Sequence, residues 1–139
     1  MPENAPHIIE LPQIRDHRGN LSVISSPEQA PFAIAGTCWA YGATAGLSIS
    51  TQAYYSTHEL ITTLKGSVTV TTLIGGEERV FQLESADRAL YIPPMTWREV
   101  IPDSPDTVVL FSLSALMDSA DVISTLREYE IIAATEYEA

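Results

Sequence analysis

Cysteine occurs once in these 139 residues, at Cys38. No internal disulfide can form, which suits a reducing compartment and predicts a cytoplasmic protein. Its neighbours Thr37 and Trp39 carry no charge that would activate a thiol, so Cys38 reads as a buried structural residue. Basic residues are scarce: 7 Lys and Arg stand against 18 Asp and Glu, a formal net charge of -11. Nucleic-acid backbones and anionic lipid surfaces need clustered cations, so general binding to either is excluded. Any anionic ligand has to be held by a few identifiable side chains. No apolar run approaches the roughly 18 residues of a membrane span. The opening, MPENAPHIIELPQ, has no basic stretch followed by an apolar one, so no signal peptide is expected. The three histidines, His7, His17 and His58, do not have chelating spacing.

What is present is the composition of a folded globular chain, 45% apolar and 18% charged. The length predicts a single domain over residues 1–139 with its own core. Short β-branched and aromatic runs alternate with turn signals. They predict strands at 7–11, 21–25, 32–41, 47–55, 60–64, 67–73, 79–83, 89–92, 98–101 and 107–113. DHRGN at 16–20 reads as a turn, SPEQAP at 26–31 as a loop, and LKGS around Gly66 and IGGEE at 74–78 as hairpins. So many short strands suggest an antiparallel barrel or sandwich. Beyond Ser114 the pattern loosens. A short helix or turn is expected at 119–125, with Asp118 and Asp121 as a surface turn or cap, then a tail that packs on the barrel or on a partner chain.

Residues 46–66, GLSISTQAYYSTHELITTLKG, have the spacing of a cupin metal-binding motif: Gly, five residues, His-x-His, four residues, Glu, six residues, Gly. Gly46, Glu59 and Gly66 stand at the required intervals, but the histidine positions hold Gln52 and Tyr54. Residues 52 and 54 share a strand face because side chains alternate. The second cupin motif, Pro-x-Gly-x-x-His, falls on IPPMTWRE, with Pro93 in place, Met95 at the glycine and Arg98 at the histidine. Arginine keeps its charge and is not an ordinary metal ligand, so neither a metal nor another cofactor is expected. His58, beside Glu59, is expected to face the other side of its strand in a surface or packing role.

Longer stretches extend the resemblance. DHRGNLSVI is similar to Asp-x-Arg-Gly-x-Leu, and PFAIAGTCWAYG to Pro-Phe-x-Ile-x-Arg-x-Tyr-Tyr-x-Tyr-Gly. LYIPPMTWREV is similar to Ile-x-Pro-Met-x-Trp-His/Arg-Glu, and LFSLSALMDSADVIS to a Leu-Ala-Ser-x-x-Tyr-Asp-Glu-x-Asp-Tyr-Ile-Arg ending. From about residue 11 to 129 the chain resembles the sugar-nucleotide 3,4-ketoisomerases, the small WxcM-like cupins that act on dTDP-4-keto-6-deoxyglucose. The family's Arg-Gly-x-His-Ala-His falls on Ile49, Ser50, Thr51, Gln52, Ala53 and Tyr54, and only the alanine survives. Its other arginines fall on Gly36 and Ser124, and its aspartate-rich turn near residues 73–76 keeps neither acid. Phe32, Gly42, Gly66, Pro94, Met95 and Trp97 persist, as do the polar Asp16, Arg18, Tyr41, Glu99, Asp118 and Asp121.

The reaction this resemblance implies moves a ketone from C4 to C3 through an enediol, which calls for a base with a pKa near 7. Gln52 has no such proton. At pH 7 roughly one in a thousand unperturbed tyrosines is ionised, a cost of about 4 kcal/mol, so Tyr54 needs a nearby cation, and Arg98 is the candidate. Tyr54 and Glu59 are the only candidates for catalysis. Ligand contacts are expected from Arg18, Tyr41, Gln52, Tyr54, Glu59, Trp97 and Arg98. Arg18 reads also as a residue that holds its turn through Asp16, Tyr41 and Trp97 equally as core, and Trp39 as barrel core. With so few arginines, a neutral or weakly anionic ligand fits better than an intact dTDP-sugar.

The resulting expectation is an all-β cupin, an antiparallel β-barrel or jelly roll with a short C-terminal helical segment. The resemblance implies a homodimer packed through N-terminal strands, and the apolar stretch 7–11 is consistent with that. The functional expectation is a divergent ketoisomerase-like protein that binds a carbohydrate or sugar nucleotide without the ordinary isomerase activity. Two alternatives stay open: an active isomerase or epimerase using Tyr54 with Glu59 in deoxysugar or polysaccharide synthesis, and a structural or protein-interaction cupin.

Overall fold

The computed structural model describes residues 5–138. Residues 1–4, which begin the stretch read as free of a signal peptide, lie outside the described residues, as does Ala139. Two five-stranded antiparallel sheets face each other. The first has the order β1 (His7–Glu10), β9 (Arg88–Ile92), β6 (Glu59–Lys65), β11 (Val108–Leu113), β4 (Gly36–Ala40). The second has the order β12 (Val122–Ile123), β5 (Ser50–Tyr54), β10 (Trp97–Pro102), β7 (Val68–Ile74), β8 (Glu77–Leu83). A separate hairpin pairs β2 (Gln13–Asp16) with β3 (Gly19–Ser22). The barrel expected from the strand spacing is an open jelly-roll sandwich: the sheets end at β1 and β4, and at β12 and β8, and do not close.

Alternation sets the core. Val68 and Val70 of β7, Ile61 of β6, Leu90 and Ile92 of β9, Val100 of β10 and Val109 of β11 all point between the sheets and are buried. Each such side chain contributes about 1.5–3 kcal/mol by leaving water. A second apolar layer lies outside the first sheet, where residues 24–34 cover Leu60, Ala89 and Tyr91. A third lies outside the second sheet.

The hairpin at IGGEE forms as expected. Ile74 pairs with Glu77, and Gly75 and Gly76 both take positive φ, 59° and 76°, as a tight two-residue turn requires. LKGS is not a hairpin. β6 and β7 belong to different sheets, so Gly66 turns a corner between them. Its φ is 74°, and an added Cβ would lie 2.6 Å from Thr107 Oγ1 and 3.0 Å from Thr107 Cα. Only glycine fits there.

Three further expectations change. The long strand at 32–41 shrinks to β4, because Phe32 and Ile34 are used in the cover over the first sheet. Trp39 is 59% exposed instead of core, since Cys38 and Ala40 on either side take the inward positions. The helix comes later and is longer: a 3₁₀ turn at Ser119–Asp121, then β12, then α1 (Leu126–Glu138). Thr125 caps α1, its Oγ1 accepting from Glu128 N at 3.2 Å. Tyr129, Ile132 and Ala133, at helical spacing, pack on Ala53, Leu73, Met95, Trp97 and Ile123. Asp118 caps the 3₁₀ turn as expected, accepting from Ala120 N at 3.0 Å. Asp121 does more, accepting from the backbone and hydroxyl groups of both Ser56 and Thr57. It ties the loop that leads into β6 to the C-terminal segment.

Candidate functional site

The polar site lies between the sheets. Ser50, Gln52 and Tyr54 share the inward face of β5, while Ala53 between them faces α1. Antiparallel register sets Arg98 of β10 beside Gln52 and Val100 beside Ser50. Glu59 opens β6 on the opposite sheet. Across this gap the Arg98 guanidinium donates from Nε to Glu59 Oε1 at 2.8 Å and from Nη2 to Oε2 at 2.9 Å. Its Nη1 donates to Ser50 Oγ at 2.7 Å. Arg98 is 1% exposed and Glu59 0%. The guanidinium lies 5.6 Å from the Tyr54 ring centre and 5.9 Å from that of Phe111. Cys38 and Ala40 of β4 pack on the same cluster, half-buried.

The electrostatics follow from burial. Desolvation, then the Glu59 charge, pushes the Tyr54 phenol above its ordinary range; the Arg98 charge and a hydrogen bond from Gln52 act the other way without offsetting them. The cation that was to help Tyr54 ionise is therefore present and insufficient. Burial and then Glu59 raise the Cys38 thiol as well, which leaves it unactivated. Burial alone would lower the Arg98 pKa, but Glu59 outweighs it and holds the guanidinium charged. The donor set does not fit a divalent ion, because both Glu59 oxygens are taken by Arg98 and its fixed charge repels a second cation.

Of the seven residues expected at the site, Gln52, Tyr54, Glu59 and Arg98 come together. Arg18 does not join them: it sits at the β2–β3 turn, its side chain 80% exposed and ion-paired with Asp16 at 2.6 Å. Tyr41 follows β4 and is 73% exposed. Trp97 alternates away from Arg98 and meets the Tyr129 ring under α1 at 5.9 Å in a tilted arrangement, so it serves the helix interface and not this cluster. Ser50, Cys38 and Phe111 were missed. The alternation that selected 52 and 54 also selects 50; the other two needed the sheet pairing. His58 faces outward as expected, bonded through Nδ1 to Tyr91 Oη at 2.7 Å and stacked on Phe32. It lines a separate cleft of about 680 Å³ on the outer face of the first sheet, together with His7, Glu28 and Tyr91.

Fold and polar site together define a small antiparallel cupin-type sandwich whose interior carries side chains from both sheets. The chain belongs to the FdtA family, described as WxcM-like, C-terminal, whose model matches residues 4–134. Among solved structures it is similar to QdtA, a sugar 3,4-ketoisomerase from Thermoanaerobacterium thermosaccharolyticum in complex with TDP, at 26% identity. The TM-score is 0.90, with 99% of each chain covered. It is also similar to WlaRB, a TDP-quinovose 3,4-ketoisomerase from Campylobacter jejuni, at 23% identity and TM-score 0.85, with 93% of this chain and 98% of that one covered. A 3,4-ketoisomerase from Helicobacter canadensis matches at 19% identity and TM-score 0.89, over 93% and 97%. The last two likenesses carry the fold alone. No curated protein matches the chain significantly in sequence. Among the described residues no helix is long and apolar enough to cross a membrane.

Proposed function

We propose that this member of the family binds a carbohydrate or sugar-nucleotide ligand at the polar cluster between the sheets and does not carry out 3,4-ketoisomerisation. One observation carries the reading: among the described residues this cluster holds no histidine and no carboxylate free of a partner. Gln52 does not titrate, the Tyr54 phenol is pushed further from neutrality, and the Glu59 carboxylate is held at both oxygens by Arg98. General-base catalysis typically supplies 10²–10⁴-fold, roughly 3–5 kcal/mol of barrier, and on this reading the cluster forgoes it. The structural relative QdtA is described in complex with TDP and, as a variant, with TDP-4-keto-6-deoxyglucose, which supports a sugar-derived ligand here.

The test is incubation with TDP-4-keto-6-deoxyglucose in D₂O, following deuterium at C3 by NMR. Exchange at the no-protein rate is expected. Exchange well above it overturns the reading in favour of an isomerase working through Tyr54 and Glu59. The chain is further read as a single cytoplasmic domain acting as a homodimer. The exposed Ile14, Leu21, Trp39 and Tyr41 supply apolar surface that a second copy would cover. Sedimentation as a monomer at micromolar concentration would sink the dimer.

A further inference from the structure

We propose that the cleft on the outer face of the first sheet binds a small protonated amine that also carries a hydroxyl and an apolar body. The site is separate from the polar cluster between the sheets. His7, Ile9 and Tyr91 have the outward parity of their strands, and Ile9 and Tyr91 belong to the apolar layer outside that sheet. The cleft, about 680 Å³, has the size of a small-molecule site. Strand pairing builds its floor. His7 of β1 lies in register with Tyr91 of β9, their ring centres 5.2 Å apart. His58, just before β6, stacks on Tyr91 at 6.0 Å. The loop at 25–31 supplies another wall. Gln29 N and Ala30 N donate to the Ser25 carbonyl at 2.9 and 3.1 Å, and Gln29 Oε1 accepts from Ser25 N and Oγ at 2.8 and 2.9 Å. These bonds fix the loop around Glu28, so the carboxylate is presented on backbone already ordered.

The polar atoms left over there choose the ligand. His7 Nδ1 lies 2.8 Å from the Ala5 carbonyl oxygen, which only accepts, so Nδ1 carries a proton and Nε2 of the neutral ring remains an acceptor. Glu28 Oε2 accepts from Ser25 Oγ at 3.3 Å, and Oε1 is unspent among the described residues. His58 Nδ1 meets Tyr91 Oη at 2.7 Å. Burial raises the phenol and lowers the imidazole, so the phenol keeps its proton and donates it to Nδ1, and the neutral ring has its own proton on Nε2. A carboxylate and an imidazole acceptor match an ammonium, the His58 Nε2–H matches a hydroxyl oxygen, and Ile9 with Pro31 matches carbon. No lysine or arginine lines the cleft, so an anion finds no counter-charge there, and the net charge of -11 draws cations toward the protein.

The experiment is an amide-resolved NMR titration of the full chain with phenylethanolamine, phenylethanediol and mandelate. These probes share a skeleton and place an ammonium, a hydroxyl or a carboxylate at the same position. The amine should shift the amides of His7, Glu28 and His58 and bind at least about tenfold more tightly than the diol, the effect of one charge-assisted hydrogen bond. Mandelate should bind most weakly. Mandelate or the diol binding as tightly as the amine, or no amine-dependent shift at these three residues, overturns the proposal. Glu28→Gln removes a charge at an exposed position, so Tm should stay as in wild type while the amine loses its advantage over the diol. An advantage that survives in this variant places the ammonium elsewhere and refutes the assignment. Phenethylamine, which lacks the hydroxyl, should bind several-fold more weakly than phenylethanolamine; equal affinity refutes the His58 contact.

Discussion

Removing the carboxylate partner of Arg98 by Glu59→Gln is the sharpest test of how the interior is held together. The pair is bidentate at 2.8 and 2.9 Å, bridges the two sheets, and is 1% and 0% exposed. Glutamine keeps the shape but leaves a guanidinium charge unmatched in a low-dielectric interior. The Tyr54 and Phe111 rings lie 5.6 and 5.9 Å away. Their cation–π attraction, about 0.5–2 kcal/mol, cannot replace a carboxylate. The expected loss is about 3–5 kcal/mol for Glu59→Gln, and similarly for Arg98→Met, which strands the carboxylate. At roughly 3–5 °C per kcal/mol for a chain of this size, Tm should fall by roughly 10–20 °C. The double variant Glu59→Leu with Arg98→Met strands neither charge and should lie within about 1 kcal/mol of wild type or be more stable by up to about 4. The singles and the double are therefore strongly non-additive. Urea denaturation with a two-state fit measures all three. Single variants that each cost less than about 1 kcal/mol at an unchanged m value would show that the pair is solvated and the reasoning wrong.

Three other outcomes are expected. Gly66→Ala should cost about 2–4 kcal/mol in the same denaturation experiment, because a Cβ there meets Thr107 backbone at a φ that disfavours alanine; a loss under about 0.5 kcal/mol would show that the sheet corner relaxes freely. Asp121→Ala should cost about 1.5–3 kcal/mol, the worth of bonds to a charged acceptor. Its carboxyl lies below the usual range: burial would raise it, and the bonds from Thr57 and Ser56 outweigh that. Its contribution is therefore present above the ordinary aspartate value and is lost as pH falls through the lowered one; a loss independent of acid pH would contradict the assignment. Tyr54, whose folded pKa is raised, contributes stability that is intact below the ordinary phenol value of about 10 and is lost as pH climbs through the folded value. Alkaline absorbance titration of wild type against Tyr54→Phe should yield a difference curve with its midpoint above about 10, and a midpoint below that value would restore Tyr54 as a base.

Local patterns carried much of the outcome. The period-2 runs located most of the strands, Gly75-Gly76 announced its hairpin, and the Gly46–Glu59–Gly66 intervals pointed to the fold family. The same alternation put Gln52 and Tyr54 on one face and Ala53 on the other. Met95 shows how far a motif can drift without losing its shape: at the usual glycine position it keeps the left-handed φ of 60°. Its carbonyl accepts from Tyr129 Oη at 2.9 Å, so α1 helps to hold that turn. Helix placement was harder to read. Residues 119–125 and 126–138 are both polar enough for either state, and the choice depended on Tyr129, Ile132 and Ala133 finding a sheet face to cover.

By itself the sequence determined the residues in the cupin pattern, the absence of histidine at positions 52, 54 and 98, and the scarcity of cations. These are matters of identity and spacing, and spacing along a strand fixes which side chains share a face. Only the tertiary structure decided what each residue does. Glu59 and Arg98 are 39 positions apart and meet because their strands lie in opposing sheets. Trp97 and Arg98 are adjacent yet divide between the helix interface and the interior. Whether Arg98 is an anion site or a neutralised strut depends on a partner across the sandwich, and partners across a sandwich are set by how sheets face each other, which no local pattern encodes.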